Sequence, residues 1–360
     1  MKKFTNQAVT GTAEVDVAEI ETFSNSEPFY TMTDKHSVAS PDVFCRTGLF
    51  GASAQRQREL LKPNQRVVVA CDPSTGYQVM LEGGLNCNIP GPLGDTLLDK
   101  QVSSRLDQTD YSVYLALLRL TNGMLGSTAV FEPYAFVKSL GLADNKSNVR
   151  STFESIARMN ATRLTVVQPK HSCPGKFMRC VGFLVSSVAY DDETGRYNIA
   201  LDPQLAGLFQ KSYFNQLAWE QRLALPSSLA KWLHAELNSH RSGYRRWSHR
   251  LQQAFGSQSS ERLFRARLRD AVDEVRQVTG WDVRLESNAA NYNLQLVCFK
   301  SPEDANNPEL QSENFDDEAY DHGGAVDMPV PAVVASFKRP GKKTINAKSQ
   351  AAAQGVLEFA

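Results

Sequence analysis

Apolar residues recur at helical spacing in two separate stretches of the chain, and each stretch runs on into paired β-rich segments. In the first, Tyr111, Tyr114, Leu115 and Leu118 recur at helical spacing, which predicts a helix over about residues 107–121 with Asp107 or Thr109 as its N-cap. A short β run, Thr128 to Phe131, follows. Pro133 opens a second helix and Gly141 closes it, in line with proline at helix starts and glycine just past their ends. Val149, Phe153, Ile156 and Ala157 share one face of a third helix from about Ser147 to Asn160. Beyond it lie the runs Leu164 to Val167, Phe177 to Tyr190 and Tyr197 to Leu201. The turn Asp191-Asp192-Glu193-Thr194-Gly195 joins the last two. Helix, short strand, helix, helix, strand, strand is the order of a winged helix-turn-helix.

The pattern recurs downstream. Leu229, Trp232, Leu233 and Leu237 predict a helix from Pro226 to about His240. A second helix is expected over Tyr244–Phe255, stopping at Gly256. Ser257-Gln258-Ser259-Ser260 supplies caps for a long third helix that Gly280 ends near Thr279. In it Phe264, Leu268, Ala271, Val275 and Val278 are spaced +4, +3, +4, +3, one continuous apolar stripe. Trp281 to Leu285 and Leu294 to Phe299 form a hairpin behind it. The expected fold is therefore α+β, with two tandem winged helix-turn-helix domains at 41–222 and 223–300.

Upstream, residues 65–71 and 77–81 read as a hairpin about Asp72-Pro73-Ser74-Thr75-Gly76. Residues 83–100 are a Gly/Pro-rich loop inserted in the first domain. Residues 1–40 are polar without sustained periodicity and are expected to be a flexible arm. Residues 301–328 hold nine acidic side chains and no Lys or Arg, and residues 329–360 hold five basic and one acidic. That composition predicts a disordered tail, acidic and then basic.

Charge changes the picture once it is counted by segment. The 360 residues carry 39 basic and 39 acidic side chains and are 42% hydrophobic, which supplies a real core and excludes collagen-like, coiled-coil and wholly disordered chains. Residues 225–300 alone hold 12 Lys/Arg against 7 Asp/Glu. Arg262, Arg265 and Arg269 form a second stripe on the long helix with Arg267 beside it, and Arg245, Arg246 and Arg250 precede it. Arginine's planar fork can hold guanine O6 and N7, or a phosphate, with two hydrogen bonds. In a helix-turn-helix this is the electrostatic footprint of a duplex-binding surface. Ser259, Ser260, Arg262, Arg265, Arg267 and Arg269 are the candidate base readers, and Arg245, Arg246 and Arg250 the candidate phosphate contacts. In the first domain the corresponding helix has Lys146, Asn148, Arg150, Arg158 and Arg163, as a second DNA contact or a partner interface. Trp219, Trp232 and Trp281 are assigned to the cores. Trp247, flanked by Arg245, Arg246, His249 and Arg250, is assigned to core or DNA edge.

Other chemistries lack their residues. No G-x-x-x-x-G-K-[ST] phosphate loop, no histidine–apolar–histidine pair and no G-x-S-x-G elbow occur. No pair of the six cysteines has C-x-x-C spacing. His171, Cys173 and Cys180 are the best metal candidate but have no evident fourth ligand. Asp191-Asp192-Glu193 and Asp316-Asp317-Glu318 are read as solvated acidic runs. No apolar run approaches the ~18 residues of a membrane helix. None follows Lys2 and Lys3 to complete a signal peptide. A cytoplasmic, non-enzymatic protein without cofactor or metal is expected.

Four segments carry a family likeness: Cys45-Arg46-Thr47-Gly48-Leu49-Phe50, Asp110-Tyr111-Ser112-Val113-Tyr114-Leu115-Ala116-Leu117-Leu118, Leu201-Asp202-Pro203-Gln204-Leu205-Ala206-Gly207-Leu208-Phe209 and Phe264-Arg265-Ala266-Arg267-Leu268. Over roughly residues 45–300 the chain resembles plasmid replication initiators of the TrfA/RepA type, built from tandem winged helices. The resemblance implies binding to directly repeated origin sites (iterons), opening of adjacent A·T-rich DNA and recruitment of the host replicative helicase. The host initiator ATPase is a further expected partner, and the first domain is expected to bind the neighbouring groove or a second copy of the chain as a homodimer. The insertion at 83–100 and the charged tail depart from that pattern. The terminal Gln354-Gly355-Val356-Leu357-Glu358-Phe359 is similar to the short peptides that hold the sliding clamp, with Gln354, Leu357 and Phe359 as the contact residues. The alternative is a winged-helix transcriptional regulator that binds repeated operators without replication activity.

Overall fold

The computed structural model describes residues 29–31, 33–51, 61–72, 76–84, 89–92, 104–170, 176–211, 213–240, 243–287 and 294–306. The first domain opens with β1 (Phe29–Tyr30), β2 (Ser37–Pro41), α1 (Asp42–Arg46), β3 (Phe50–Gly51), the hairpin β4 (Arg66–Asp72) and β5 (Tyr77–Gly83), and β6 (Leu106–Asp107). Then come α2 (Gln108–Leu120), β7 (Met124–Leu125), β8 (Thr128–Phe131), α3 (Pro133–Ser139) and α4 (Lys146–Ala161). It closes with β9 (Thr162–Pro169), β10 (Phe177–Phe183), β11 (Val185–Asp191), β12 (Arg196–Leu201), a 3-10 turn at Pro203–Phe209, β13 (Phe214–Ala218) and α5 (Trp219–Ala224). The second domain is α6 (Ser228–Asn238), β14 (Tyr244–Trp247), α7 (Ser248–Ala254), α8 (Glu261–Thr279), β15 (Asp282–Ser287) and β16 (Leu294–Phe299), followed by α9 (Pro302–Asn306).

Each domain is a winged helix, with one topology used twice. In the first, α2, β8, α3 and α4 are followed by the wing β11–β12, and the sheet order is β11-β12-β8. In the second, α6, β14, α7 and α8 are followed by the wing β15–β16, in the order β14-β16-β15. Local chemistry sets the helix ends as expected. Asp107 and Asp110 form a reciprocal capping box at the start of α2. Asn145 caps α4 and Ser260 caps α8. Gly280 ends α8 in the left-handed region at φ 72°.

Three sequence expectations are corrected. Residues 29–31 and 33–40 are built into the fold rather than the arm. β2 pairs with β13, Ser37 opposite Ala218 and Ala39 opposite Gln216, and Val38, Ala39 and Ser40 are fully buried. Two small apolar residues between Ser37 and Ser40 carry no readable period, so only the distant partner strand reveals them. Residues 1–28 lie outside the described residues.

The run Phe177 to Tyr190 is two strands. β10 joins a four-stranded sheet, β10-β9-β5-β4, while β11 joins the wing. Buried Leu184 marks the change of sheet, and the Asp202 carboxylate accepts the Phe183 N–H at 2.8 Å there. Gly182 leaves room for that carboxylate, since a Cβ would come within 2.7 Å of it.

Residues 244–247 are strand, not helix. Tyr244 pairs with Cys298 and Trp247 with Gln295. The run Tyr-Arg-Arg-Trp has no β-branched residue, and it becomes a strand because β16 offers it a free edge. The helix after it is only α7.

Among the described residues each domain has one large apolar core, and Val297 and Phe299 form a small third cluster with Ala305. Trp219 belongs to the first. Trp232 is fully buried in the second and lies 5.2 Å from the Phe255 ring, with Trp281 packed against that core. Polar struts join the domains. Arg222, fully buried, donates to Gln108 Oε1 at 2.9 Å, to Ser112 Oγ at 3.2 Å and to the Lys231 carbonyl at 3.3 Å. It also lies over the Tyr111 ring at 4.5 Å. Burial pulls its pKa down to about 10. Arg46 donates to the hydroxyl and carbonyl of Ser239, tying α1 to the end of α6. Among the described residues no helix is long and apolar enough to cross a membrane.

Candidate nucleic-acid interface

The buried side of α8 is Phe264, Leu268, Ala271, Val272 and Val275. At 3.6 residues per turn, Arg262, Ala266 and Arg269 lie along the opposite side, and Leu263, Arg267 and Asp270 line one flank. All six are exposed. The geometry arises because α8 packs on α6 and α7 with one face only. Arg262, Arg267 and Arg269 have no carboxylate within ion-pair distance among the described residues. Arg265 is held by Glu261 one turn back, at 2.5 Å. The first turn is anchored: Ser260 Oγ accepts the Leu263 N–H. Ser259 belongs to the turn before α8, where its hydroxyl meets that of Ser257 at 2.9 Å and its carbonyl accepts from Gln252.

The arginines ahead of α8 divide into two kinds. Arg250, on α7, is exposed beside exposed His249. Arg245 and Arg246 lie on β14 and are half-buried. Arg245 pairs with Glu286 at 3.3 Å and Arg246 with Glu236 at 3.0 Å. Successive strand residues point to opposite faces, so Arg246 turns with Tyr244 toward Glu236 of α6, while Arg245 meets Glu286 of β15 on the other face of the sheet. Trp247 is half-buried beside them.

Glu236 was not singled out in the sequence. It is fully buried on α6, accepts the Tyr244 hydroxyl at 2.9 Å and lies 3.6 Å from His240. Burial pushes its carboxyl up, but His240, Arg246 and Arg46 outweigh that and bring it down to about 2. Its one local clue is the i, i+4 relation to His240. Its main partner, Arg246, comes from the next element.

The corresponding helix of the first domain presents little. In α4, Val149, Thr152, Phe153, Ser155 to Met159 and Ala161 are all buried. Arg158 lies inside, 2.6 Å from Asp110. Lys146 is exposed. Asn148 caps back onto the Ala143 carbonyl at 2.7 Å, and Arg150 pairs with Glu154 at 3.2 Å.

Of the metal candidates, His171 and Cys173 lie outside the described residues. Cys180 is buried, and burial pushes its thiol up to about 11. Among the described residues no group of three His, Cys, Asp or Glu side chains converges. Asp191 accepts the Thr194 hydroxyl and two backbone N–H groups of its own turn, which draws its pKa down. Asp316, Gln354, Leu357 and Phe359 lie outside the described residues, as does most of the insertion at 83–100.

No family model matches the sequence. No curated protein matches it. Solved structures do show likeness. Domains 2 and 3 of RctB align with 72% of this chain and 98% of their own, at 12% identity and a TM-score of 0.48. A second structure of the same domains aligns with 73% and 98%, at 14% identity and 0.46. The Pi initiator protein, solved in complex with iteron DNA, aligns with 54% of this chain and 94% of its own, at 10% identity and 0.39. Each TM-score lies below 0.5, so the winged-helix fold and the interface stand on this chain's own elements.

Proposed function

We propose that α8 enters the major groove of double-stranded DNA, and that the protein is a replication initiator binding repeated origin sites. The observation that carries the reading is the outward face of α8. It presents Arg262, Arg267 and Arg269 without acidic partners among the described residues, around the small Ala266, on a helix anchored by its opposite side. Such a face suits bidentate contacts to guanine. Arg250 supplies a phosphate contact from α7. Arg245 and Arg246 act from within, holding β14 to Glu286 and Glu236. Lys146, at the start of α4, is the first domain's contact to a neighbouring groove or a second copy of the chain.

The initiator role rests on the four sequence segments that resemble that family. In this reading the protein catalyses no reaction. Binding and bending open adjacent A·T-rich DNA, and the host helicase and initiator ATPase supply the work of unwinding. The terminal Gln354, Leu357 and Phe359 engage the sliding clamp. The test is a footprint of the purified full chain on DNA flanking its own gene, with competitor DNA and a salt titration. Protected patches every ~10–11 or ~21–22 base pairs are expected. Uniform, salt-labile coverage would remove sequence-specific reading by α8. Protection without melting of adjacent DNA would leave a transcriptional regulator.

A further inference from the structure

Leu263 lies outside the buried side of α8. It is 45% exposed, and among the described residues it is the one large exposed apolar side chain of the second domain. Its backbone N–H is fixed by Ser260, so the side chain is held in the first turn of α8. Ala266 lies one turn on, also exposed, and Arg262 and Arg267 border the pair. The strip is about 4.5 Å long at the helix rise, close to the ~3.4 Å step between bases of one strand. Asp270 continues the flank one turn beyond. A carboxylate there repels phosphate, so this flank suits base edges better than backbone. In the major groove, the apolar feature that distinguishes one base from the others is the thymine C5-methyl group.

Resting on the reading of α8 as the DNA-reading helix, we propose that Leu263 and Ala266 recognise thymine methyl groups. Each target site then carries thymine beside the guanines held by the arginines. The corresponding first turn of α4, Lys146-Ser147-Asn148, has no apolar residue, so this selectivity belongs to the second domain.

The experiment uses the full chain and sites selected from a pool of random-sequence duplexes. Each thymine of the selected site is replaced in turn by deoxyuridine, which keeps the pairing and removes only the methyl. At one or two positions the wild-type protein should bind about four-fold more weakly, the scale of one buried methyl group. Leu263→Ala should bind the thymine site more weakly by a similar factor and no longer distinguish deoxyuridine there. Its thermal midpoint should match wild type, because the side chain lies outside the core. Arg269→Ala is the control for the underlying reading. If Arg269→Ala weakens binding while every deoxyuridine is silent, or Leu263→Ala keeps the full penalty, the thymine proposal is overturned and α8 remains the reader. If no site is selected, or neither Arg262→Ala nor Arg269→Ala weakens binding, both fall together.

Discussion

The two domains share a topology and treat their third helix in opposite ways. α4 is buried on most of its circumference by α2, α3, β9, β10 and β11. α8 is covered on one side only and keeps a full polar face in solvent. The cause lies in the strands that come after each helix. β9 continues directly from α4 into the four-stranded sheet with β10, β5 and β4, an addition the second domain lacks. Arg158, on the covered side of α4, joins the core against Asp110 of α2, while Arg150 stays exposed at the start of that helix. On α8, Arg265 is held by Glu261 and Arg276 by Asp273, and Arg262, Arg267 and Arg269 stay exposed without an ion pair among the described residues. The same supersecondary unit buries its third helix in one copy and leaves an exposed basic face on it in the other.

The sharpest way to break this contrast is to delete an arginine from each helix. Arg158→Ala should cost about 3–5 kcal/mol of stability, since it breaks a buried ion pair by removing the guanidinium 2.6 Å from Asp110. Denaturant unfolding would show it, and a loss below 1 kcal/mol would mean that α4 is not the buried platform described. Arg262→Ala or Arg269→Ala should leave stability within about 0.5 kcal/mol and cost about 1–3 kcal/mol of DNA affinity. Unchanged affinity in both would remove α8 as the reader.

Acid should test the second domain next. His234 is buried against Trp281, with ring centroids 5.5 Å apart, and burial aided by Arg222 and Lys300 pulls its pKa to about 3. Its folded pKa lies below the ordinary value near 6.5, so the unfolded chain takes up the proton first. Stability should therefore fall as pH drops below about 6.5, by up to about 1.4 kcal/mol per pH unit, and level off near pH 3. Glu236, down at about 2, adds a second loss below about pH 4.5 that ends near pH 2. His234→Gln should flatten the first limb in pH-dependent thermal unfolding and leave the second. An unchanged slope between pH 4 and 6.5 would show that another group carries it.

The smallest effect belongs to the exposed start of α4. Arg150→Ala should change stability by about 0.5 kcal/mol or less, because its pair with Glu154 is solvent-screened. Lys146→Ala should reduce the salt dependence of DNA binding by about one unit if it meets a phosphate. A slope identical to wild type would assign that end of α4 to a protein partner.

Several of these features were legible in local chemistry. The α8 stripe from Phe264 to Val275, its Ser260 cap and its Gly280 stop lie within 21 consecutive residues, and a helix with one apolar side needs nothing more. The same holds for α2, α4 and the wing turn at Gly195. The strand at 244–247 was not legible, because its conformation depends on the edge of β16 more than on its own propensities. Nor was β2, whose pairing partner lies on β13. The candidate site divides along the same line. The stripe Arg262, Arg265 and Arg269, with Arg267 beside it, could be placed by helical spacing, but that Glu261 holds Arg265 was seen only in the structure. Arg245 and Arg246 differ from them through Glu286 and Glu236, which lie on other elements and come close only in space.

Periodicity and end-capping thus determined from the chain alone that there are two helix–helix–wing units and that the second is basic on its long helix. These signals act between residues three or four apart, where local sterics and hydrogen bonds decide. Which arginines face solvent, which are held by buried carboxylates, and which of two similar helices remains open were decided only by tertiary structure. Burial and charge pairing depend on the strands and helices that the rest of the chain brings against each side.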